Sequence, residues 1–212
     1  DGPPSKFEAT RMAEKLGIVC AEEASAVGCN WAFAPIVDLD RNFRNPITNT
    51  RTYGSDPARV AAMGLAYIRA VQSRGVAACF KHFPGDGVDE RDQHLLSSIN
   101  SLSCREWDRT YGAVYRACIR AGTLTCMTGH ILMPAYSRKL DPVRRDEDIL
   151  PASLSDELKL GLLRRKLGFN GLIVTDATTM AGFSIPMSRK EAVPAVIASG
   201  ADMFLFCKNL EE

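Results

Sequence analysis

The run Val76-Ala77-Ala78-Cys79-Phe80 passes directly into Lys81-His82-Phe83-Pro84-Gly85-Asp86-Gly87, and Asp92-Gln93-His94 follows a few residues on. A continuous apolar stretch with no polar alternation reads as a strand buried on both faces, the pattern of a parallel sheet. Its end carries a cation, an imidazole and a carboxylate. A second ending of this kind lies downstream, at Leu172-Ile173-Val174-Thr175-Asp176. Polar clusters at the ends of buried strands are how a parallel barrel assembles an active site. The residue types allow acid/base and nucleophilic chemistry without a metal.

Outward from that stretch, one grammar repeats: an amphipathic run, a glycine, an apolar run, then polar residues. The glycines are Gly28, Gly75, Gly122, Gly171 and Gly200, and the strands expected after them are residues 30–37, 76–82, 123–128, 172–175 and 203–207. A glycine after a helix takes the left-handed C-cap conformation at no steric cost. Helices are expected over residues 6–26, with Phe7, Met12, Leu16 and Val19 as a stripe, and over 58–72, entered through Ser55-Asp56-Pro57. Others are expected over 107–121, behind the Ser103–Glu106 capping box, over 157–167, with Leu158, Leu162 and Leu163 as its apolar face, and over 189–198, where Pro194 predicts a kink or break. Residues 134–151 read as a loop. The whole chain, 1–212, is taken as one domain.

Alternating strands and helices define an α/β fold. No strand is followed by a G-x-G-x-x-G or Walker loop, so a nucleotide-binding sheet is disfavoured and a (β/α)8 TIM-type barrel preferred. Five strands do not close an eight-stranded barrel, so the expectation is an incomplete one. Its uncovered sheet edges predict self-association or pairing with the missing barrel segments.

The chain has 212 residues, 46% hydrophobic and 24% charged, with a net charge of +1. That composition suits a globular domain with a sizeable core. It gives no electrostatic footprint for nucleic acid or a membrane surface, and no apolar run approaches the ~20 residues of a membrane helix. No basic and apolar leader opens at Asp1. The seven cysteines form no C-x-x-C pair, and Cys79, Cys126 and Cys207 lie in apolar runs. Reduced, buried thiols and a cytoplasmic location are expected. Trp31 and Trp107 are read as packing residues.

Several motifs, taken in order, carry a family resemblance. They are Ala32-Phe33-Ala34-Pro35-Ile36-Val37-Asp38, then Arg51-Thr52-Tyr53-Gly54-Ser55-Asp56, Lys81-His82-Phe83-Pro84-Gly85, Asp92-Gln93-His94, Ile173-Val174-Thr175-Asp176 with Met180, and Ser199-Gly200-Ala201-Asp202-Met203. Together they resemble glycoside hydrolase family 3, in its bacterial β-N-acetylglucosaminidase branch. The resemblance implies a retaining exo-glycosidase that needs no cofactor and acts on terminal β-linked N-acetylglucosamine of cell-wall or chitin-type carbohydrate. Asp176 would be the nucleophile and His94, oriented by Asp92, the general acid/base. Arg51, Lys81 and His82 would bind sugar hydroxyls, with Met180 and His130 in the pocket wall or behind it. The family's upstream acidic sugar-binding residue, in a D-x-E-G-G strand, has no counterpart in this chain, and its final strand and helix are absent. Asp86 stands where relatives often have His, and Ala177 where many have Asp.

The chemistry is coherent. A carboxylate nucleophile must be ionised, which a neighbouring Lys81 or Arg51 favours, and a carboxylate fixes the tautomer of an imidazole and stabilises its cation. Lys81 and His82 would face opposite ways along a regular strand. A shared role therefore requires irregular backbone, and a cis peptide is expected between Lys81 and Phe83. Alternatives remain at this level. A metal site from His82, His94, His130, Asp92 and Asp176 matches no ligand spacing. Lys81 as a Schiff base predicts borohydride trapping. A phosphorylase would use phosphate in place of water, and a sugar-binding remnant would have no turnover.

Overall fold

The computed structural model describes residues 5–206, so the Cys207 end of the last expected strand lies outside the described residues. The main sheet has five strands, β1 (Trp31–Ala32), β2 (Ala77–Phe83), β4 (Thr125–Thr128), β6 (Leu172–Ala177) and β7 (Met203–Leu205), in that spatial order. Every neighbouring pair is parallel. Each strand joins the sheet on the same side as its predecessor, without the reversal that marks a doubly wound sheet. That progression is the one that builds a barrel. A second, two-stranded sheet pairs β3 (Ser98–Ile99) with β5 (Ile131–Leu132), and sequence periodicity gave no sign of it.

The first expected strand is the most shortened. Its ladder stops after Ala32, and beyond a cis Ala34–Pro35 peptide only an isolated bridge joins Ile36 to Lys81. Pro35 has no N–H to donate, so it only accepts, from the Lys81 N–H at 3.2 Å, and the regular ladder is interrupted there.

Helix α1 (Lys6–Ala26) has its expected bounds, but its expected apolar stripe is exposed. The buried positions are Ala9, Ala13 and Ala21. Gly17 shares their spacing, and a Cβ there would meet the Tyr67 carbonyl at 2.8 Å. Small residues let α1 approach α2 (Pro57–Gln72) more closely than Met12 or Leu16 would permit. Asp56 caps α2, accepting from the N–H groups of Ala58 and Arg59, and Pro57 takes the first helical position.

Residues 107–121 are not one helix. The segment is broken at Thr110 into α3 (Cys104–Arg109) and α4 (Tyr111–Arg120). The stretch read as a loop holds α5 (Pro134–Leu140), started by a proline at its first turn. The helix Glu157–Lys166 is wound with π spacing and buries Leu158, Leu162 and Leu163 as expected. It ends at Gly168 with φ +75°, so Gly168 and not Gly171 is the left-handed glycine here. Gly171 is glycine for another reason: a Cβ would lie 2.2 Å from the Leu124 carbonyl of the neighbouring strand segment. A short α6 (Ala181–Ser184) precedes α7 (Arg189–Ala198), which runs on through Pro194 without breaking.

The core lies between the sheet and these helices. Phe80, Phe83, Trp107, Tyr115 and Tyr136 form a buried aromatic cluster. Trp107 is thus the packing residue expected, and Trp31 likewise donates its indole N–H to Thr125 Oγ1 at 2.8 Å. Cys79 and Cys126 are fully buried, also as expected.

Candidate active site

Three aromatic side chains of the α3–α4 segment fix the loop after β2. Trp107 donates to the Pro84 carbonyl at 2.7 Å, Tyr111 to Asp86 O at 2.6 Å and Tyr115 to His82 O at 3.2 Å. Gly85 has φ +116°, and a Cβ would lie 2.2 Å from the Tyr111 ring, so no other residue fits under that ring. The Lys81–His82 peptide is cis, within the segment where one was expected.

His82 is buried and its Nδ1 lies 2.7 Å from Asp38 Oδ2, while Nε2 faces Asp176 Oδ2 at 3.7 Å. Asp38 Oδ1 also accepts from the N–H groups of His82 and Asp86, at 3.1 and 2.8 Å. Burial would lower the His82 pKa, but the Asp38 carboxylate and then Asp176 outweigh it and raise it. For Asp176, burial would raise the pKa. His82, the Ala177 N–H, His130 and Lys81 outweigh that and hold it below the usual carboxylate value. Lys81 is pulled the other way, its burial lowering the pKa against the field of Asp176. The result is a carboxylate held below its usual pKa at the end of β6, with His82 and Lys81 of β2 beside it.

Asp92 and His94 form the expected pair. His94 Nδ1 lies 2.6 Å from Asp92 Oδ1, which also accepts the His94 backbone N–H at 2.8 Å. A carboxylate only accepts, so Nδ1 carries hydrogen and Nε2 is the nitrogen left to exchange protons with a substrate. Both side chains reach solvent.

His130 joins the two halves of the site. Its Nε2 is 3.0 Å from the Ala177 carbonyl, which only accepts, so Nε2–H donates there and Nδ1 accepts from Ser153 Oγ at 2.9 Å. Burial lowers its pKa against the field of Asp176. His130 is fully buried and Met180 nearly so. His130 is held between Ala177 O and Ser153 Oγ, behind the end of the nucleophile strand. Arg51 is exposed, donates to the Ile47 carbonyl at 3.4 Å and lies within electrostatic reach of Lys81.

Sequence reasoning passed over Asp38, although it closes the quoted Ala32–Asp38 motif. It also passed over Gln93, which lies inside the dyad motif, and Lys159, whose Nζ donates to Ser153 O and Ser199 Oγ at 2.6 and 2.7 Å. Among the described residues no three His, Cys, Asp or Glu side chains converge in a metal-holding group. No described helix is long and apolar enough to cross a membrane.

The strand ends thus bring together the Asp176 carboxylate, His82 and Lys81, with the carboxylate-backed imidazole of His94 on the loop that follows β2. Comparison with known proteins places the chain in a family. The glycosyl hydrolase family 3 N-terminal domain matches residues 5–212, and the chain belongs to that family. A β-N-acetylglucosaminidase/β-glucosidase from Cellulomonas fimi is 60% identical over 203 residues, which cover 96% of this chain and 36% of that protein. A β-hexosaminidase from Tolumonas auensis is 33% identical over 97% of this chain and 58% of its own length. Among solved structures, the β-glucoside phosphorylase BglX bound to 2FGlc superposes with a TM-score of 0.93 at 54% identity, over 94% of this chain and 36% of that one. A family 3 β-N-acetylglucosaminidase from Paenibacillus sp. gives 0.85 at 34% identity, over 92% and 36%. The chain therefore spans about a third to three fifths of the length of these relatives.

Proposed function

We propose that the protein is a retaining exo-glycosidase that releases terminal β-linked N-acetylglucosamine from cell-wall or chitin-type oligosaccharides in the cytoplasm. The observation that carries this reading is Asp176, held below its usual pKa beside His82 and Lys81, with the Asp92–His94 dyad tied to the segment after β6 by the Ala181 N–H donating to His94 O. Asp176 attacks the anomeric carbon while the bond to the leaving oxygen breaks, and His94 Nε2 delivers the proton that oxygen needs. His94 then takes a proton from water as the water attacks the same carbon and releases Asp176. Two inversions retain configuration. Asp92 stabilises the imidazolium in each proton-bearing stage. Lys81, His82 and Arg51 bind sugar hydroxyls. Free cysteines, six among the described residues, support the reduced compartment. The outer edges of β1 and β7, unpaired among the described strands, support self-association or pairing with further barrel segments.

A phosphorylase is the second reading. An imidazole in place of a carboxylate acid/base does not repel an incoming phosphate, and the BglX likeness favours it. The test compares aryl β-N-acetylglucosaminide with the β-glucoside, with and without phosphate, using wild type and Asp176→Asn. Hydrolysis of the N-acetyl sugar that disappears in the variant supports the proposal. Turnover that needs phosphate and yields a sugar 1-phosphate moves the assignment to the second reading. Retained rate in Asp176→Asn sinks both.

A further inference from the structure

Between the solvent-reaching Asp92 and His94, Gln93 is only 1% exposed. Its carboxamide is used at both ends. Nε2 donates to Asp86 Oδ2 at 3.1 Å, and Oε1 accepts the backbone N–H of His130 at 2.8 Å. The orientation is forced, because a carboxylate only accepts and a backbone N–H only donates.

Each partner leads to the reacting centre. Asp86 Oδ1 is held by Asn45 Nδ2 at 3.0 Å and the Gly87 N–H at 2.7 Å, and the Asp86 N–H rests on Asp38, the residue that orients His82. On the other side, His130 donates to Ala177 O, and the Ala177 N–H donates to Asp176 Oδ1 at 2.8 Å. The fold leaves room for the side chain at two glycines. A Cβ on Gly129 would lie 2.9 Å from Gln93 Oε1, and one on Gly182 would lie 2.5 Å from the Gln93 carbonyl. Beside it, the His94 carbonyl accepts from the Ala181 N–H at 2.9 Å.

We propose that Gln93 is a positioning residue. It locks the His94–Asp92 dyad in register with Asp176 and His82, through a clamp formed by Asp86 on one side and the His130 N–H on the other. The role rests on the glycosidase reading above and adds to it the device that keeps an exposed acid/base loop in place. Burial, with the Asp38 charge second, raises Asp86 to about 6, so at neutral pH it is the carboxylate acceptor the clamp requires.

The test uses the full-length protein and the 2,4-dinitrophenyl β-N-acetylglucosaminide and β-glucoside, in phosphate-free buffer, read on whichever sugar wild type turns over faster. Dinitrophenolate leaves without a proton, so forming the glycosyl-enzyme does not need His94, whereas hydrolysing it does. In Gln93→Ala the burst of dinitrophenolate should stay near wild type while steady-state turnover falls ~10²-fold, the size expected of a misplaced catalytic group. Azide should then restore the rate. It attacks the anomeric carbon and displaces the Asp176 carboxylate, giving a β-glycosyl azide with no proton transferred.

A paired exchange, Asp86→Asn with Gln93→Glu, keeps every hydrogen bond of the clamp with donor and acceptor reversed between the two. It should return turnover to within a few-fold of wild type, while Gln93→Glu alone should not. Wild-type turnover in Gln93→Ala overturns the clamp and leaves the glycosidase reading standing. So does an equal loss of burst and steady state with no response to azide, or a paired variant no faster than Gln93→Glu. A wild type that forms no glycosyl-enzyme overturns the glycosidase reading and the clamp with it.

Discussion

Replacing Lys159 with methionine tests whether the support beneath the site is neutral or charged. Lys159 is fully buried, and its Nζ donates only to uncharged acceptors, Ser153 O and Ser199 Oγ. Ser153 in turn holds the His130 ring. Burial lowers the Lys159 pKa against the opposing fields of Asp156 and Glu157, from 10.5 to about 7. At about 1.4 kcal/mol per pH unit, that drop is worth about 5 kcal/mol of stability, to order of magnitude. The native pKa lies below the unfolded one. Between about 7 and 10.5 the unfolded chain therefore binds one proton more than the native protein, and stability rises with pH across that window. Below about 7 the cost of charging the buried amine is present in full.

The assay is urea unfolding of wild type and Lys159→Met at about pH 6, 7.5 and 9, analysed as the difference between the two proteins. Taking the difference removes the contribution of Cys79 and Cys118, whose thiols burial pushes to about 12 in both. Wild type should gain on the variant by about 2 kcal/mol between pH 7.5 and 9. A difference that stays flat across the three pH values would refute the reasoning. It would mean that Lys159 keeps its charge and that its bonds to Ser153 and Ser199 are charge-assisted.

Other outcomes follow from the same geometry. Asp92→Asn removes the charge behind His94 and should slow turnover of substrates with poor leaving groups by ~10²–10⁴-fold; an unchanged kcat would assign Asp92 a loop role only. Asp38→Ala strips the buried His82 ring and two backbone N–H groups of their acceptor. It should cost ~3–5 kcal/mol in denaturant unfolding, and a loss below about 1 kcal/mol would contradict the buried pairing. Gly182→Ala drives a Cβ against the Gln93 carbonyl, which is backbone and cannot swing away. A loss of ~1–3 kcal/mol is expected, together with slower His94-dependent steps, and wild-type kinetics would show that the loop tolerates displacement.

How much was legible in the sequence varies with the kind of constraint. Local signals read well where the determinant was local. The Asp56–Pro57 cap fixed the start of α2, and the Leu158, Leu162 and Leu163 face fixed which side of its helix is buried. The nearly continuous apolar runs identified β2, β4 and β6, because two-sided burial leaves little room for charged or strongly polar side chains. Signals that depend on a partner misled. The α1 stripe of Phe7, Met12, Leu16 and Val19 faces outward, because what α1 needed against α2 was small residues at Ala9, Ala13, Gly17 and Ala21. Likewise Gly171 is required by the approach of Leu124 and not by a helix end.

The site divides along the same line. The sequence pointed to Asp176, His94, Asp92, Lys81 and His82 through motifs at or after the ends of apolar runs, and the roles came with the family resemblance those motifs carry. Only tertiary structure assigned work to Asp38, Gln93 and Lys159, and only it showed which bonds hold His130. Their hydrogen-bond partners lie on other strands and loops, such as Asp38 with His82 and Gln93 with His130. A one-dimensional pattern records which chemistry is present. Which buried polar groups satisfy one another is decided by the packing that excludes water from them, and that packing exists only once the strands are side by side.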